Sequence, residues 1–316
     1  MTEIPPPKDN IPARIYAALE AKPDKPRPHM GVSQLGHPCD RWLWLSFRWA
    51  VVEKHAGRIL RLFRRGQDEE ARLLEDLQAA GLTIRDEENG QHRVSFSAHV
   101  SGSMDGIIES GVPEAPAKPH VLEMKTHSAK SFSDLCKKGV ERSKWQHWIQ
   151  CHLYMHGTGI DRALYVAICK DDDQIYAERI RYDKELAQRY VDRGLRLSRE
   201  DIMPPPISHD PSWYQCKMCP AHAFCHQGQS TQQVNCRTCA HATATETGWH
   251  CERWGADIPL EWQRVGCRSH VPHPDLVPWE MGESPDDGVS ASYMIDGEWV
   301  TVGESGTDSR EIIDAP

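Results

Sequence analysis

The feature that most constrains this sequence is a change of character near residue 207. Before it, apolar residues recur at helix or strand spacing. After it the periodicity disappears and cysteines take over, first as Cys216-x-x-Cys219-x5-Cys225, then as Cys236-x-x-Cys239, Cys251 and Cys267. A short polar segment of this kind buries too little apolar surface to hold itself together and needs a staple. No run of about 18 apolar residues occurs, so no membrane span is expected. The start, MTEIPPPKDN, lacks the basic and apolar regions of a secretory signal. A cytoplasmic location with reduced thiols follows as the expectation. Eleven cysteines in such a compartment ask for metal rather than disulfides.

Upstream, 316 residues leave room for about two domains, or one large domain with an appendage. Residues 11–22, 40–50 and 58–80 read as helices, the last amphipathic through Leu60, Phe63, Leu73, Leu74 and Leu77 and capped by Gly81. Strand patterns follow at 94–100, 103–109 and 120–126. Then come a helix at 143–156, strands at 163–169 and 175–182, and a helix at 183–200, closed by the prolines at 204–206. A helix between the third and fourth strands predicts a crossover, hence a mixed α/β sheet flanked by helices.

Glu123 and Lys125 are two apart on one candidate strand, so they share a face. Asp105 lies early in the strand before it and meets Glu123 if the two strands pair. Converging carboxylates make an oxygen-rich site suited to Mg²⁺ or Mn²⁺. A lysine beside them orients water or stabilises charge on a phosphate oxygen. Glu70, on the preceding helix, supplies a third acid. Glu69 and Glu70 are separated only by spacing.

Arg65-Gly66-x-x-x-Glu70, Asp105-Gly106, Glu123-Met124-Lys125 and Gln150-x-x-x-Tyr154 stand in this order. The set resembles RecB-like nucleases of the PD-(D/E)XK superfamily, and phage-type YqaJ exonucleases carry a similar arrangement. The resemblance covers about residues 30–225. It implies a restriction-endonuclease-like core in which Asp105, Glu123 and the Met124 carbonyl bind metal, Lys125 is the catalytic lysine and Glu70 the first-helix acid. It further implies that Gln150 and Tyr154 touch the active site or DNA. Many RecB-like members have histidine near the Glu70 position, and glutamate there bears on metal preference.

Cys39 stands far upstream of Cys216, Cys219 and Cys225. This one-plus-three layout resembles the Fe–S clasp of AddB-type nucleases and of CRISPR-associated RecB-like exonucleases. It implies a [4Fe–4S] cluster that staples the start of the nuclease domain to its end. Closing so long a loop contributes several kcal/mol in chain-entropy models. Zinc is the alternative for the same thiolates. Cys236, Cys239, Cys251 and Cys267 suggest a second site for Zn²⁺, with His241, His250 and His270 close by in sequence and Cys267-x-x-His270 a possible knuckle. Cys151 and Cys169 sit in apolar patterns and read as core.

The formal charge of -9 is misleading, because residues 280–316 alone carry it and residues 1–279 are neutral. A polyanionic substrate is therefore compatible with the composition. Arg58, Arg61, Arg64 and Arg65, and Lys130, Lys137, Lys138, Arg142 and Lys144, flank the candidate site and suit DNA phosphates or a solvated helix face equally. Of eleven tryptophans, Trp145 and Trp148 suit base stacking, and Trp42, Trp44 and Trp49 suit a core. The acidic end reads as a solubilising or disordered tail, apart from an Asp-Gly hairpin signal at 293–302.

The expected organisation is an N-terminal helix and linker (1–29), a RecB-like nuclease domain with its clasp (30–228), a zinc-binding-like module (229–279) and an acidic tail (280–316). The expected function is a Mg²⁺- or Mn²⁺-dependent DNA exonuclease acting on single- or double-stranded ends, with a recombination or CRISPR-adaptation partner protein. The alternative is a DNA- or protein-binding module that keeps the fold without cutting. An Fe–S redox enzyme is a weaker third class, since no flavin or nicotinamide fingerprint occurs.

Overall fold

The computed structural model describes residues 10–22, 26–85, 92–283 and 285–313. Its main helices are α1 (Ile11–Glu20), α2 (Asp40–Phe47), α3 (Gly57–Ala79), α4 (Ala129–Ser143), α5 (Trp145–Thr158) and α6 (Lys184–Arg199). The chain divides into two compact units. The first comprises Met1–Pro26, Glu53–Arg93 and Ser103–Lys184; the second comprises Arg27–Val52, Val94–Gly102 and Glu185–Pro316.

The first unit is a five-stranded mixed sheet with helices. Its strands, in chain and spatial order, are β1 (Thr83–Arg85), β2 (Gly106–Ser110), β3 (His120–His127), β4 (Arg162–Cys169) and β5 (Ile175–Arg181). Neighbours are antiparallel except β3 and β4, which run parallel. A parallel pair needs a long crossover, and α4 with α5 provides it. Residues 163–169 of β4 are all buried, as a central strand covered on both faces requires. Leu122 and Met124 of β3 pack with Leu73 of α3, Ile108 and Val166 in one apolar cluster. The alternation of the strand then turns Glu123 and Lys125 to the opposite face.

Two expectations change here. The crossover holds two helices, not one. Helix α4 carries only Phe132, Leu135 and Val140 as buried apolar residues and is interrupted at Gly139 (φ 75°, ψ 173°). Its periodicity is therefore faint in sequence. The Glu178 carboxylate accepts the Val140 N–H at 2.8 Å and caps the second piece of the helix. Residues 94–100 do not form one strand of the main sheet either. Arg93–Ser97 and Val100–Ser103 are separate strands, and with Met30–Gly31 they make a small sheet of the second unit.

In the second unit α6 packs closely on this small sheet, because Gly194 faces the side chains of Leu35 and Val100. The cysteine-rich segment holds three short strands, Ala242–Ala244, Trp249–Cys251 and Ala256–Asp257. The acidic end is folded, not a loose tail. Ala291–Ile295 and Glu298–Val302 form a hairpin turned by Asp296 (φ 50°) and Gly297 (φ 88°), with Glu280–Met281 on its other side. Tyr293, Val302 and Val271 are its buried core. Its acids meet bases of the cysteine segment: Glu304 pairs with Arg253 at 2.5 Å, and Asp308 with Arg268 at 3.6 Å. Apolar alternation along the hairpin outweighed the charge count that had suggested disorder.

Candidate active site and cysteine quartets

Strand β3 and the approach to β2 assemble the first site. Asp105 lies in the bend just before β2, not within it. Gly106 pairs with Leu122 of β3, which brings the Asp105 carboxylate to the Met124 N–H at 2.6 Å. The Lys125 ammonium pairs with the Glu123 carboxylate, lies 4.0 Å from Asp105 and donates to the Met124 carbonyl at 3.0 Å. One positive charge thus stands among three oxygen groups, which are the ones the resemblance implies as metal ligands.

Glu123 has no solvent exposure, and its two carboxylate oxygens form no well-aligned hydrogen bond. Only the ammonium is beside one of them. Burial raises the Glu123 pKa to about 8; Lys125 opposes the rise, while Asp105 and Glu70 add to it. Burial alone would lower the Lys125 pKa, but the charges of Glu123 and Asp105 outweigh it and raise it. Lys125 therefore stays protonated throughout the physiological range. Glu70 of α3 is raised by burial and then by Asp105, with Lys125 opposing. Its neighbour Glu69 instead faces Arg72 at 3.7 Å. Glu123 and Glu70, crowded with Asp105 beside one ammonium in a largely dry place, are thus pushed toward protonation. A hard divalent cation fits that donor set.

Gln150 and Tyr154 are placed in the core, 5% and 1% exposed. The Gln150 amide donates to the Tyr154 hydroxyl at 3.1 Å, and that hydroxyl donates to the Ser103 carbonyl at 2.5 Å. Ser103 is two residues ahead of Asp105, so α5 braces the backbone that presents the carboxylate.

One group of residues at this face escaped the sequence reading. His127, two beyond Lys125 on β3, meets the Tyr165 hydroxyl at 2.9 Å. His147 of α5 meets the same hydroxyl at 2.9 Å, and Ser131 closes on His127 at 3.1 Å. Burial first, and then nearby lysines, lower His127 to about 4 and His147 to about 3. Both rings are neutral at pH 7. The period of two that selects Glu123 and Lys125 also selects His127, whereas Tyr165 and His147 come from across the crossover.

On α3, Arg58, Arg61, Arg64 and Arg65 are exposed. Arg65 also donates to the Lys170 carbonyl at 2.7 Å.

Both cysteine quartets lie within the second unit. Cys39 caps α2, its sulfur accepting the Trp42 N–H at 3.5 Å. Burial pushes the Cys219 thiol up to about 11, helped by the charges of Cys39, Cys225 and Cys216. Burial and then Cys39 and Cys216 raise Cys225 as well. The four thiols are thus within electrostatic reach of one another. Cys236, Cys239, Cys251 and Cys267 line one cavity of about 230 Å³, beside Trp254 and Trp262. Burial and then Cys267 and Cys236 push Cys239 up to about 12. All these thiols are unbridged. Among the described residues, no group of three or more His, Cys, Asp or Glu side chains is placed to hold a metal ion. Cys151 and Cys169 are buried and Cys136 is exposed.

No protein family matches this sequence, and no curated protein matches it. Among solved structures, one named SSO0001 is similar at 16% identity and a TM-score of 0.42, over 69% of this chain and 97% of that one. The alkaline exonuclease LHK-Exo from Laribacter hongkongensis is similar at 17% identity and a TM-score of 0.38, over 58% and 89%. A phage-related exonuclease from Haemophilus somnus 129PT gives 15% identity and a TM-score of 0.28, over 42% and 66%.

Proposed function

We propose that this chain is a Mg²⁺- or Mn²⁺-dependent deoxyribonuclease of RecB-like type that hydrolyses phosphodiester bonds from DNA ends. The observation that carries the reading is the Lys125 ammonium held among the Glu123 and Asp105 carboxylates and the Met124 carbonyl. Asp105, Glu123 and the Met124 carbonyl would hold the divalent ion, with Glu70 completing the acidic rim. A bound ion of this kind lowers the pKa of water and neutralises the scissile phosphate. Lys125, kept protonated by its carboxylates, acts as a fixed donor and positive charge, not as a base. It orients the attacking water or stabilises charge on a phosphate oxygen. Gln150 and Tyr154 hold the Asp105 backbone in place. Arg58, Arg61 and Arg64 would bind phosphates without regard to sequence.

The finer parts of the reading are a [4Fe–4S] cluster on Cys39, Cys216, Cys219 and Cys225, and Zn²⁺ on Cys236, Cys239, Cys251 and Cys267. The setting proposed is recombination, repair or CRISPR-adaptation-like DNA processing in a bacterial or phage-infected cytoplasm. The test is degradation of end-labelled single- and double-stranded DNA by anaerobically purified protein with Mg²⁺ or Mn²⁺, beside Lys125→Ala. Cutting that requires the metal and is lost in the variant supports the reading, and the product ladder gives polarity. Metal-loaded protein that binds DNA without cutting would replace it with the binding-module alternative. Equal cutting by the variant would refute the role of Lys125.

A further inference from the structure

We infer that a metal on Cys236, Cys239, Cys251 and Cys267 fixes helix α2, and that α2, through Cys39, sets how firmly the first quartet keeps its own metal. The inference rests on reading both quartets as metal sites.

The second quartet is read as four thiols, and of the histidines near it His270 has both ring nitrogens engaged, on Ser309 at 2.8 Å and on Thr238 at 3.2 Å. His250 pairs with Asp257 at 2.9 Å, and His241 meets the Val289 carbonyl at 2.8 Å. Cys236 and Cys239 flank a short turn that begins at Asn235. Cys251 ends a strand paired with Ala242, three residues beyond Cys239. The metal would thus fix the geometry of the turn Cys236-Arg237-Thr238-Cys239.

Arg237, inside that turn, points into the protein. It is 1% exposed. Its guanidinium donates to the Phe47 carbonyl at 2.8 Å, the Pro28 carbonyl at 2.8 Å and the Gln263 amide oxygen at 2.7 Å. It lies 3.8 Å from the Trp49 ring centre. Its acceptors among the described residues are carbonyl and amide oxygens, and a buried cation so held is tolerated only when those acceptors are kept in position. The same stretch of chain grips the end of α2 at three more points. Asn235 donates to the Trp49 carbonyl at 3.4 Å, Thr231 to the Ala50 carbonyl at 2.6 Å, and Arg48 to the Arg237 carbonyl at 3.4 Å. Between them Trp49 adopts φ 54°, a left-handed conformation that a bulky residue keeps only where its surroundings enforce it.

The other end of α2 is Cys39. The helix is two turns long, and Leu43, Trp44, Leu45 and Phe47 are buried. So short and well packed a rod moves as one piece. A shift at Phe47 therefore displaces the Cys39 sulfur about 12 Å away, at 1.5 Å per residue. The chain of contacts runs from the second metal to the turn, to Arg237, to the end of α2 and to a ligand of the first metal.

The test compares the full chain, prepared anaerobically, with Cys267→Ser, Arg237→Met, Arg237→Lys and Cys39→Ser. The readouts are iron and zinc per chain, the visible absorbance of the cluster, and the rate of metal release to a chelator. Outer-sphere positioning residues typically change metal affinity by about 10–100-fold. Arg237→Met keeps all eight thiols and is expected to release the first quartet's metal at least tenfold faster. Cys267→Ser should do the same, and Arg237→Lys should restore part of the difference. A mutation-free arm reconstitutes the unaltered chain with iron and sulfide, with or without zinc, where zinc should slow loss of the cluster. Release at the unaltered rate from both Cys267→Ser and Arg237→Met, with no effect of zinc, overturns the coupling. Retention of the first metal by Cys39→Ser would instead overturn the reading of that quartet.

Discussion

Replacing Glu123 by Gln should stabilise the metal-free protein at high pH while abolishing metal-dependent cutting. Glu123 is fully buried, and burial raises its pKa from the ordinary 4.5 to about 8. The folded state then holds this proton more tightly than the unfolded chain does. Its contribution to stability is complete below about pH 4.5, shrinks as pH rises, and is gone above about pH 8. At about 1.4 kcal/mol per pH unit, that window sets a ceiling of about 5 kcal/mol. Relaxation and water penetration around a buried ion pair soften that cost, so about 1–3 kcal/mol is the expected effect. In a unit of this size that is roughly 2–10 °C in melting temperature. Thermal melts in EDTA at pH 5 and pH 9 should show the unaltered protein falling by that much more than Glu123→Gln. Adding Mg²⁺ at pH 9 should raise the unaltered protein alone. The reasoning fails if Glu123→Gln melts below the unaltered protein at pH 9 in EDTA, or if both lose stability equally between the two pH values.

Asp105→Asn keeps an acceptor for the Met124 N–H but removes a charge from the oxygen cage. Melting should change by less than about 1 kcal/mol while cutting falls by about 100-fold or more, checked by melts and end-labelled DNA. Tyr154→Phe strips a donor from the Ser103 carbonyl and an acceptor from Gln150, at a cost of about 1–2 kcal/mol in urea unfolding. Its cutting rate at saturating Mg²⁺ should stay within a few-fold, and a loss as large as that of Lys125→Ala would mean the hydroxyl acts on substrate. Gly139→Ala forces a side chain onto φ 75°, with its Cβ 3.3 Å from the Glu178 carboxylate. It should cost about 1–3 kcal/mol in the same unfolding assay.

The parts of the site that were legible in sequence are those fixed by neighbours along the chain. Glu123 and Lys125 share a face because a strand alternates, and the same rule would have given His127. Asp105 was singled out by its place at the start of the preceding strand pattern and by the resemblance, whereas the structure puts it in the bend just before β2. Helix α4 was missed because its apolar stripe is sparse and Gly139 interrupts it. Partners drawn from distant segments had no local signature. Tyr165 and His147 reach His127 only after the crossover has folded.

Charge was the property that sequence misplaced most, because a charge reports its surroundings only once they exist. The arginines of α3 and those beside the cysteines look alike in sequence. Arg58, Arg61 and Arg64 remain exposed on their helix and keep their interest as phosphate contacts. Arg48 and Arg237 are buried against Trp44, Trp49 and Trp249, so these tryptophans enclose cations of the protein itself and have no face left for bases. The acidic end obeys the same logic. Glu304 and Asp308 are paired with Arg253 and Arg268, in a segment whose buried Tyr293 and Val302 pack on Val271 of the cysteine-rich segment. In the first unit, by contrast, Glu70, Asp105 and Glu123 share a single lysine, and Glu70 and Glu123 respond by holding their protons more tightly.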